Sequence, residues 1–325
     1  MTANLLEVKN LKTHFFTRSG VVKAVDDVSF TIKAGETLGV VGESGCGKSV
    51  TALSVMRLVA NPPGKIVGGE IYFNGENILE KNAEELTELR GSKISMIFQD
   101  PMTSLNPVFT VGYQIAETVK RHRKDVSQDQ AWKRAIEMLD LVRIPDARRR
   151  IKNYPHEFSG GMRQRVMIAI ALACNPQLLI ADEPTTALDV TIQAQVLELM
   201  KGLSREFRTA VMLITHDLGV VAGTCEYINV MYAGHIVESA PVKQIFETPA
   251  HPYTIGLLQS IPRLDAAPGT RLTPIAGQPP DLSKLSVGCP YAPRCPRVHS
   301  RCLQERPTLT PVGRTRQAAA CFYPN

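Results

Sequence analysis

The chain has 325 residues, 44% of them hydrophobic and 21% charged, which excludes a mainly disordered chain and predicts about two domains. The formal net charge of +6 fits an anionic ligand, a membrane surface or a nucleic acid equally well. No apolar run approaches the roughly 20 residues of a membrane-spanning helix, and no signal peptide is recognisable, so we expect a cytosolic chain.

Strands are predicted at residues 5–16 and 25–32, where apolar and polar residues nearly alternate. Residues 37–41 form a short apolar run suited to a buried parallel strand. A glycine-rich turn follows, and then a helix predicted to reach Ala60. Residues 69–73 and the Asn-Gly turn after them predict a hairpin.

Residues 111–157 have a helical pattern, and short apolar strands are predicted at 178–181 and 211–215 with a helix between them. Strands that alternate with helices predict a parallel sheet with a ligand at its carboxyl edge. The two strand-rich regions therefore form one α/β core that a helical insert interrupts. The predicted core positions of the two helical regions are Trp132, Ile136, Leu139 and Leu141, and then Ile192, Val196, Leu199, Leu203 and Phe207.

Residues 42–49, GESGCGKS, match the pattern G-x-x-x-x-G-K-[ST] between a predicted strand and a predicted helix. Glycines let successive backbone N–H groups turn toward phosphate oxygens, and the helix N-terminus adds partial positive charge. Lys48 should reach the β- and γ-phosphates, and the Ser49 hydroxyl should bind Mg²⁺. The predicted nucleotide contacts here are Gly42, Glu43, Ser44, Gly45, Cys46, Gly47, Lys48, Ser49 and Val50.

Asp182 ends an apolar strand and Glu183 follows it. At the carboxyl edge of a sheet, Asp182 is placed to hold Mg²⁺, directly or through water. Glu183 is placed to orient and deprotonate the attacking water. An acid pair after a strand is common, but beside a phosphate loop it predicts a triphosphatase site.

Four further motifs occur in one order along residues 5–240. Residues 158–165, FSGGMRQR, resemble the signature of ATP-binding-cassette (ABC) ATPases, and Gln99 resembles the glutamine of that family's glutamine loop. Ala187-Leu188-Asp189 resembles its D-loop, and His216 resembles its switch histidine. The resemblance implies an α/β fold: a nucleotide-binding domain with a RecA-like parallel-sheet core, an antiparallel β subdomain and a helical subdomain inserted at about 101–157.

In this family the signature completes the ATP site of a partner cassette, so two cassettes hold two nucleotides head to tail. The free N–H groups at the start of the signature helix form a second anion site. The chain has one phosphate loop and one signature, so it must pair with itself or with a homologue. The residues implied in that second site are Ser159, Gly160, Gly161, Gln164 and Asp189.

The resemblance also implies roles for three residues near the γ-phosphate and the base. Gln99 would contact Mg²⁺ and water. His216 would contact the γ-phosphate and keep it aligned with Glu183. An aromatic residue stacks on adenine in this family, which makes Phe15 and Phe16 the candidates. Adjacent strand residues face opposite sides, so one of the two belongs to the core, and we favour Phe16 for the base.

Cysteine and proline concentrate after residue 261, which predicts a separate, irregular module at 262–325 beside an ATPase domain at 1–261. His251-Pro252-Tyr253-Thr254, residues 100–107 and the CP-x3-RCP segment at 289–296 resemble the ATP-binding subunits of bacterial dipeptide, oligopeptide and nickel importers. The resemblance implies a second, paralogous ATP-binding subunit, two transmembrane permease subunits, an indirect substrate-binding protein, and a peripheral position on the cytoplasmic face of the inner membrane.

Cys289, Cys295, Cys302 and Cys321 invite three interpretations. Disulfides are disfavoured in a reducing cytosol, and structural zinc usually has a tight C-x2–4-C pair, which is absent here. Four thiolates on wide, proline-rich loops suit a 4Fe–4S cluster. Some members of the family that this chain resembles carry such a cluster. We predict these four residues as ligands of a structural cluster, with zinc as the alternative.

The predicted function is ATP hydrolysis that powers uptake of dipeptides or oligopeptides, with nickel or another peptide-like solute as the alternative. An ABC ATPase acting on nucleic acid would carry a long coiled coil or two cassettes, and neither pattern occurs, so no nucleic-acid partner is expected. A catalytically inactive regulatory cassette is disfavoured by the intact Lys48, Asp182, Glu183 and His216.

Overall fold

The computed structural model describes residues 4–186, 188–260, 274–314 and 316–325. The chain divides into two compact units. The first comprises the described parts of Met1–Ile32, Thr37–Leu79 and Ile214–Asn325, and the second comprises Lys33–Glu36 and Glu80–Leu213. The boundary predicted near Pro262 lies outside the described residues.

The first unit contains an antiparallel sheet in the order β2-β1-β4-β5. Its strands are β1 (Asn4–Thr17), β2 (Gly20–Lys33), β4 (Gly64–Phe73) and β5 (Glu76–Asn77). Strands β4 and β5 pair Tyr72 with Asn77, which confirms the predicted hairpin. Strand β2 begins five positions before the predicted start, at Gly20, and its added residues 20–23 are exposed or half-buried, so they lack the apolar pattern that predicts a strand.

A second set of strands in this unit has the order β11-β12-β10-β9-β3. The buried strand β3 (Thr37–Val41) runs parallel to β9 (Tyr227–Tyr232). Its continuous apolar sequence predicts this parallel pairing. Strand β10 (His235–Pro241) pairs antiparallel with β9 and with β12. Two short strands from the C-terminal residues, β11 (Thr310–Pro311) and β12 (Ala318–Ala319), thus extend this sheet.

In the second unit the strand order is β8-β7-β6, and β6 and β7 are parallel. The strands are β6 (Ile94–Ile97), β7 (Leu178–Asp182) and β8 (Ala210–Thr215). All residues of β7 and β8 are buried, which explains their continuous apolar sequences. The chain leaves β7 at Asp182, so the acid pair follows directly from the buried strand.

Twelve helices complete the described part of the chain. Those of the first unit are α1 (Lys48–Val55), α9 (Leu218–Thr224), α10 (Val242–Glu247), α11 (Pro252–Gln259) and α12 (Ser300–Gln304). Those of the second unit are α2 (Ala83–Leu89), α3 (Pro101–Ser104), α4 (Val111–His122), α5 (Gln128–Leu141), α6 (Ala147–Arg150), α7 (Gly160–Leu172) and α8 (Val190–Phe207). Short 3₁₀ turns occur at Ile78–Glu80, Pro155–Glu157 and Ala292–Arg294. None of the helices described here combines the length and hydropathy needed to cross a bilayer.

Two details of the helices differ from the sequence prediction. Helix α1 ends at Val55 rather than Ala60, because Arg57 adopts φ 49°, a left-handed conformation that stops a helix. In α5 the buried face carries Ala131, Ala135, Met138 and Leu139. Small alanines permit close packing against α4 and α7, which leaves the predicted core residues Trp132, Ile136 and Leu141 only half-buried.

Candidate functional site

The phosphate loop connects β3 to α1 in the first unit. Gly42, Gly45 and Gly47 have φ values of 151°, 77° and 108°, which favour glycine at each position. A Cβ atom on Gly42 would collide with the carbonyl oxygen of Met231, and one on Gly47 with that of Ala24. The loop therefore depends on glycine both for backbone conformation and for space.

Lys48 folds back over the phosphate loop. Its side chain is buried, and the Nζ atom donates to the carbonyl oxygens of Gly42 at 2.8 Å and Glu43 at 3.0 Å. These two bonds hold a positive charge at the mouth of a turn suited to phosphate. A triphosphate oxygen would replace one or both carbonyls as the partner of this ammonium group.

Cys46, in the middle of the loop, is buried as well, with only 5% of its surface exposed. Burial raises the pKa of its thiol, although Lys48 nearby opposes that shift. The thiol is therefore protonated at neutral pH. Its carbonyl oxygen accepts from the N–H of Gly234, so this residue ties the loop to the turn between β9 and β10.

Two residues from distant parts of the sequence hold Glu43, the second residue of the loop. The Glu43 N–H donates to the buried phenolic oxygen of Tyr253 at 2.9 Å, and the Glu43 carboxylate pairs with Arg294 at 2.7 Å. No local sequence pattern predicts a role for Tyr253 or Arg294. Both lie within segments that carry the narrower family resemblance, HPYT at 251–254 and CP-x3-RCP at 289–296. That resemblance is the sequence feature that points to these two residues.

In the second unit, the structure brings Gln99 and Glu183 together at the end of β7. The Glu183 carboxylate accepts one hydrogen bond from Gln99 Nε2 at 3.0 Å and another from Thr186 Oγ1 at 2.9 Å. Asp182 is buried with 6% exposure, whereas Glu183 is half-buried and Gln99 is exposed. A half-buried carboxylate that accepts two hydrogen bonds is suited to orienting a water molecule.

The predicted signature begins helix α7. The Ser159 hydroxyl caps the helix by accepting from the Met162 N–H at 3.4 Å. A Cβ on Gly161 would approach Ile192 Cγ2 to 2.6 Å, so Gly161 permits close packing against α8. A Cβ on Gly160 would have its nearest neighbour, a Leu188 methyl, at 3.9 Å. Packing therefore does not require glycine at 160. Gly160 is exposed at the N-terminus of the helix.

Gln164, one turn further along α7, is 1% exposed, and its Nε2 atom has no hydrogen-bond partner among the described residues. Asp189 caps α8 by accepting from the Ile192 N–H at 3.0 Å. Its neighbour in the D-loop motif, Ala187, lies outside the described residues. The cap gives Asp189 a structural role in addition to the one that the resemblance implies.

His216 and Phe16 belong to the first unit. His216 is exposed and follows β8 directly, and Asp217 after it caps α9 by accepting from the Gly219 N–H at 2.8 Å. Phe16 is 52% exposed on β1, whereas Phe15 is half-buried and points toward Gly64. The two aromatic rings thus differ in exposure as strand alternation predicts, and Phe16 is the ring available to a ligand.

The four C-terminal cysteines lie in one region of the first unit. Cys302 interacts electrostatically with each of the other three, and its carbonyl oxygen accepts from the Cys289 N–H at 2.8 Å. Burial raises the pKa of Cys289 to about 11 and raises those of Cys295 and Cys321. Across the described ranges, no group of three His, Cys, Asp or Glu side chains has the arrangement of a metal centre.

Thiolate donors are the ligands that zinc and iron–sulfur clusters prefer, so the four side chains fit such a group by chemistry. Because burial raises the pKa of Cys289, Cys295 and Cys321, a metal must displace protons from these thiols in order to bind, which makes its affinity increase with pH. The sequence prediction of a cluster at these residues stays a prediction.

Comparison with known proteins gives two family matches. Residues 25–186 match the family described as ABC transporter, and residues 237–302 match the C-terminal region of oligopeptide and dipeptide transporters. The chain is 55% identical to "Probable peptide ABC transporter ATP-binding protein y4tR" of Sinorhizobium fredii, over 99% of this chain and 95% of that protein. It is 54% identical to "Oligopeptide transport ATP-binding protein OppD" of Salmonella typhimurium, over 98% and 94%.

Solved structures agree with these matches. The chain resembles the ATP-binding cassette MJ0796 in a dimeric state bound to ADP and Pi, with a TM-score of 0.65 and 30% identity. The alignment covers 73% of this chain and 98% of that one. The predicted α/β cassette fold is therefore confirmed.

Proposed function

The chain belongs to the family of ATP-binding subunits of peptide ABC transporters, and we propose that it powers import of dipeptides and oligopeptides across the cytoplasmic membrane. It is an ATPase of the cassette type. The observation that carries the peptide assignment is that this chain pairs an ABC transporter region with the C-terminal region of oligopeptide and dipeptide transporters. Relatives named as peptide transport ATP-binding proteins match nearly the whole chain.

The proposed chemistry assigns one task to each residue of the site. Lys48 and the backbone N–H groups of residues 42–50, apart from that of Glu43, which donates to Tyr253, hold the β- and γ-phosphates. Ser49, Asp182 and Gln99 supply oxygen ligands of the kind that Mg²⁺ prefers. Glu183 takes a proton from the attacking water, and His216 contacts the γ-phosphate. The Gln99–Glu183 hydrogen bond supports this assignment, because it orients the carboxylate that acts as the base.

The second half of each ATP site comes from another cassette. Ser159, Gly160, Gly161 and Asp189 would face the nucleotide held by the partner's phosphate loop. Gln164 is 1% exposed and would act only through its neighbours. The exposed N-terminus of α7 supports this role, since its free N–H groups attract an anion. We propose a paralogous cassette as that partner, two transmembrane permease subunits, and a peripheral position on the cytoplasmic face of the inner membrane.

Peptide uptake by the assembled transporter tests the assignment. Permease subunits, both cassettes and the substrate-binding protein are reconstituted into vesicles, and accumulation of a labelled tripeptide is followed. We expect uptake that requires ATP on the side of the cassettes and that unlabelled peptide abolishes by competition. Uptake of a nickel chelate with no competition by peptides would instead assign the alternative solute.

We also propose a structural 4Fe–4S cluster held by Cys289, Cys295, Cys302 and Cys321. When bound, the cluster would cross-link loops that have few buried apolar residues. The thiols of Cys289, Cys295 and Cys321 each interact electrostatically with Cys302, which supports a ligand shared by the four residues.

Metal analysis of the chain purified without oxygen tests the cluster. We expect about four iron and four sulfide per chain, as the cluster's composition requires. Cys302→Ser should lose both, whereas Cys174→Ser, a buried cysteine of the second unit, should keep them. One zinc per chain without iron would contradict the cluster and assign the alternative.

A further inference from the structure

A bidentate ion pair joins the C-terminal residues to the phosphate loop. Arg294 Nη1 and Nη2 donate to the two carboxylate oxygens of Glu43 at 2.7 Å and 3.0 Å. The Arg294 side chain is 6% exposed and that of Glu43 is 24% exposed. Such a fork geometry fixes both the position and the orientation of the carboxylate, and it is stronger when partly buried than on the surface.

Arg294 is itself held in place by other contacts. Its Nε donates to the carbonyl oxygen of Ala276 at 2.9 Å, and Nη1 lies 3.3 Å from the Tyr232 hydroxyl. Tyr232 packs against Tyr253 and Tyr291, with ring centroids 4.6 Å and 5.2 Å away. Because these contacts hold the guanidinium, little side-chain entropy is lost when it meets Glu43.

Glu43 places a negative charge in a loop built to bind an anion. Its own carbonyl oxygen accepts from Lys48, and its N–H is the second amide of the loop. An unpaired carboxylate here would repel the triphosphate and would compete with it for the Lys48 ammonium group. The Arg294 fork neutralises that charge and fixes the orientation of the carboxylate.

We propose that Arg294 is a positioning residue of the ATP site, which neutralises and orients Glu43 so that the phosphate loop accepts a triphosphate. The proposal rests on the assignment of residues 42–50 as the phosphate loop. It differs from a purely structural role, in which Arg294 would only attach the C-terminal residues to the first unit. In the structural role, removing the charge of Glu43 would not compensate for the loss of Arg294.

The test compares ATP affinity and thermal unfolding of the full-length chain for Arg294→Gln, Glu43→Gln/Arg294→Gln and Arg314→Gln. Arg314 is an exposed arginine of the same C-terminal region and is the matched control. Arg294→Gln should raise the Kd for Mg-ATP about tenfold or more, because it leaves the Glu43 charge unpaired. The double variant should return to within about threefold of wild type, and Arg314→Gln should equal wild type.

An unchanged Kd in Arg294→Gln would overturn the proposal, and so would a double variant that binds no better than the single one. If Arg294→Gln unfolds too readily for titration, Arg294→Lys replaces it. That variant keeps the charge but loses the fork, so it should bind ATP more weakly than wild type, and wild-type affinity would overturn the proposal. Tight ATP binding by Lys48→Ala would instead show that the loop assignment itself is wrong.

Discussion

Glu183→Gln is expected to lower the rate of ATP hydrolysis about 10²–10⁴-fold, the usual contribution of a general base, while ATP binding is retained. Glutamine has nearly the same shape as glutamate and can still contact Gln99 and Thr186, so the loop after β7 should keep its structure. What it lacks is the basicity needed to take a proton from water. The measurement is single-turnover hydrolysis beside equilibrium ATP binding.

The same variant should accumulate a closed pair of cassettes in ATP, because the step that reopens the pair is blocked. Glu206→Gln on the exposed face of α8 removes one negative charge from the same unit and is the control. It should hydrolyse ATP at the wild-type rate. Undiminished turnover in Glu183→Gln would remove this residue from the role of base.

Lys48→Ala should raise the Kd for ATP by about 10²-fold, since hydrogen bonds to charged groups contribute roughly 1.5–3 kcal/mol and two or more are lost. The wild-type ammonium group is buried and already lies at the mouth of the loop. The alanine variant leaves the carbonyl oxygens of Gly42 and Glu43 without this donor, so a moderate loss of stability should accompany the loss of affinity.

Equilibrium titration with a fluorescent ATP analogue measures this effect. Lys65→Ala, an exposed lysine of β4 in the same unit, is the control and should bind normally. Tight binding retained by Lys48→Ala would contradict the assignment of the phosphate loop.

The parts of the fold and site that sequence could predict are those set by neighbouring residues. The turn from β3 to α1 is specified by an apolar strand, glycines at 42, 45 and 47, and a helix, and each lies where it is predicted, although the helix ends at Val55. The acid pair at Asp182 follows from the buried strand β7 in the same way. Ser159 and Asp189 begin helices because their side chains accept hydrogen bonds from the first turn.

The parts that sequence could not predict depend on contacts between distant residues. Arg294 and Glu43 are 251 positions apart, so no local pattern connects them. Burial in α5 depends on which neighbours pack against it, and that is why alanines rather than Trp132 line the contact. The sequence does not predict strands β9 and β10, because short apolar runs occur in buried helices as well as in strands and only pairing with β3 and with each other defines these two.

The shared ATP site is tested most directly by measuring ATP turnover per chain together with the molecular mass of the active species, which distinguishes a monomer from a pair of cassettes. The comparison is between wild type and Gly160→Asp, a position with space for a side chain where a negative charge would face the partner's nucleotide. We predict hydrolysis only in paired or transporter-assembled cassettes, and its loss in Gly160→Asp without a change in unfolding temperature. Full turnover by a strictly monomeric chain, unaffected by Gly160→Asp, would contradict an ATP site formed by two subunits.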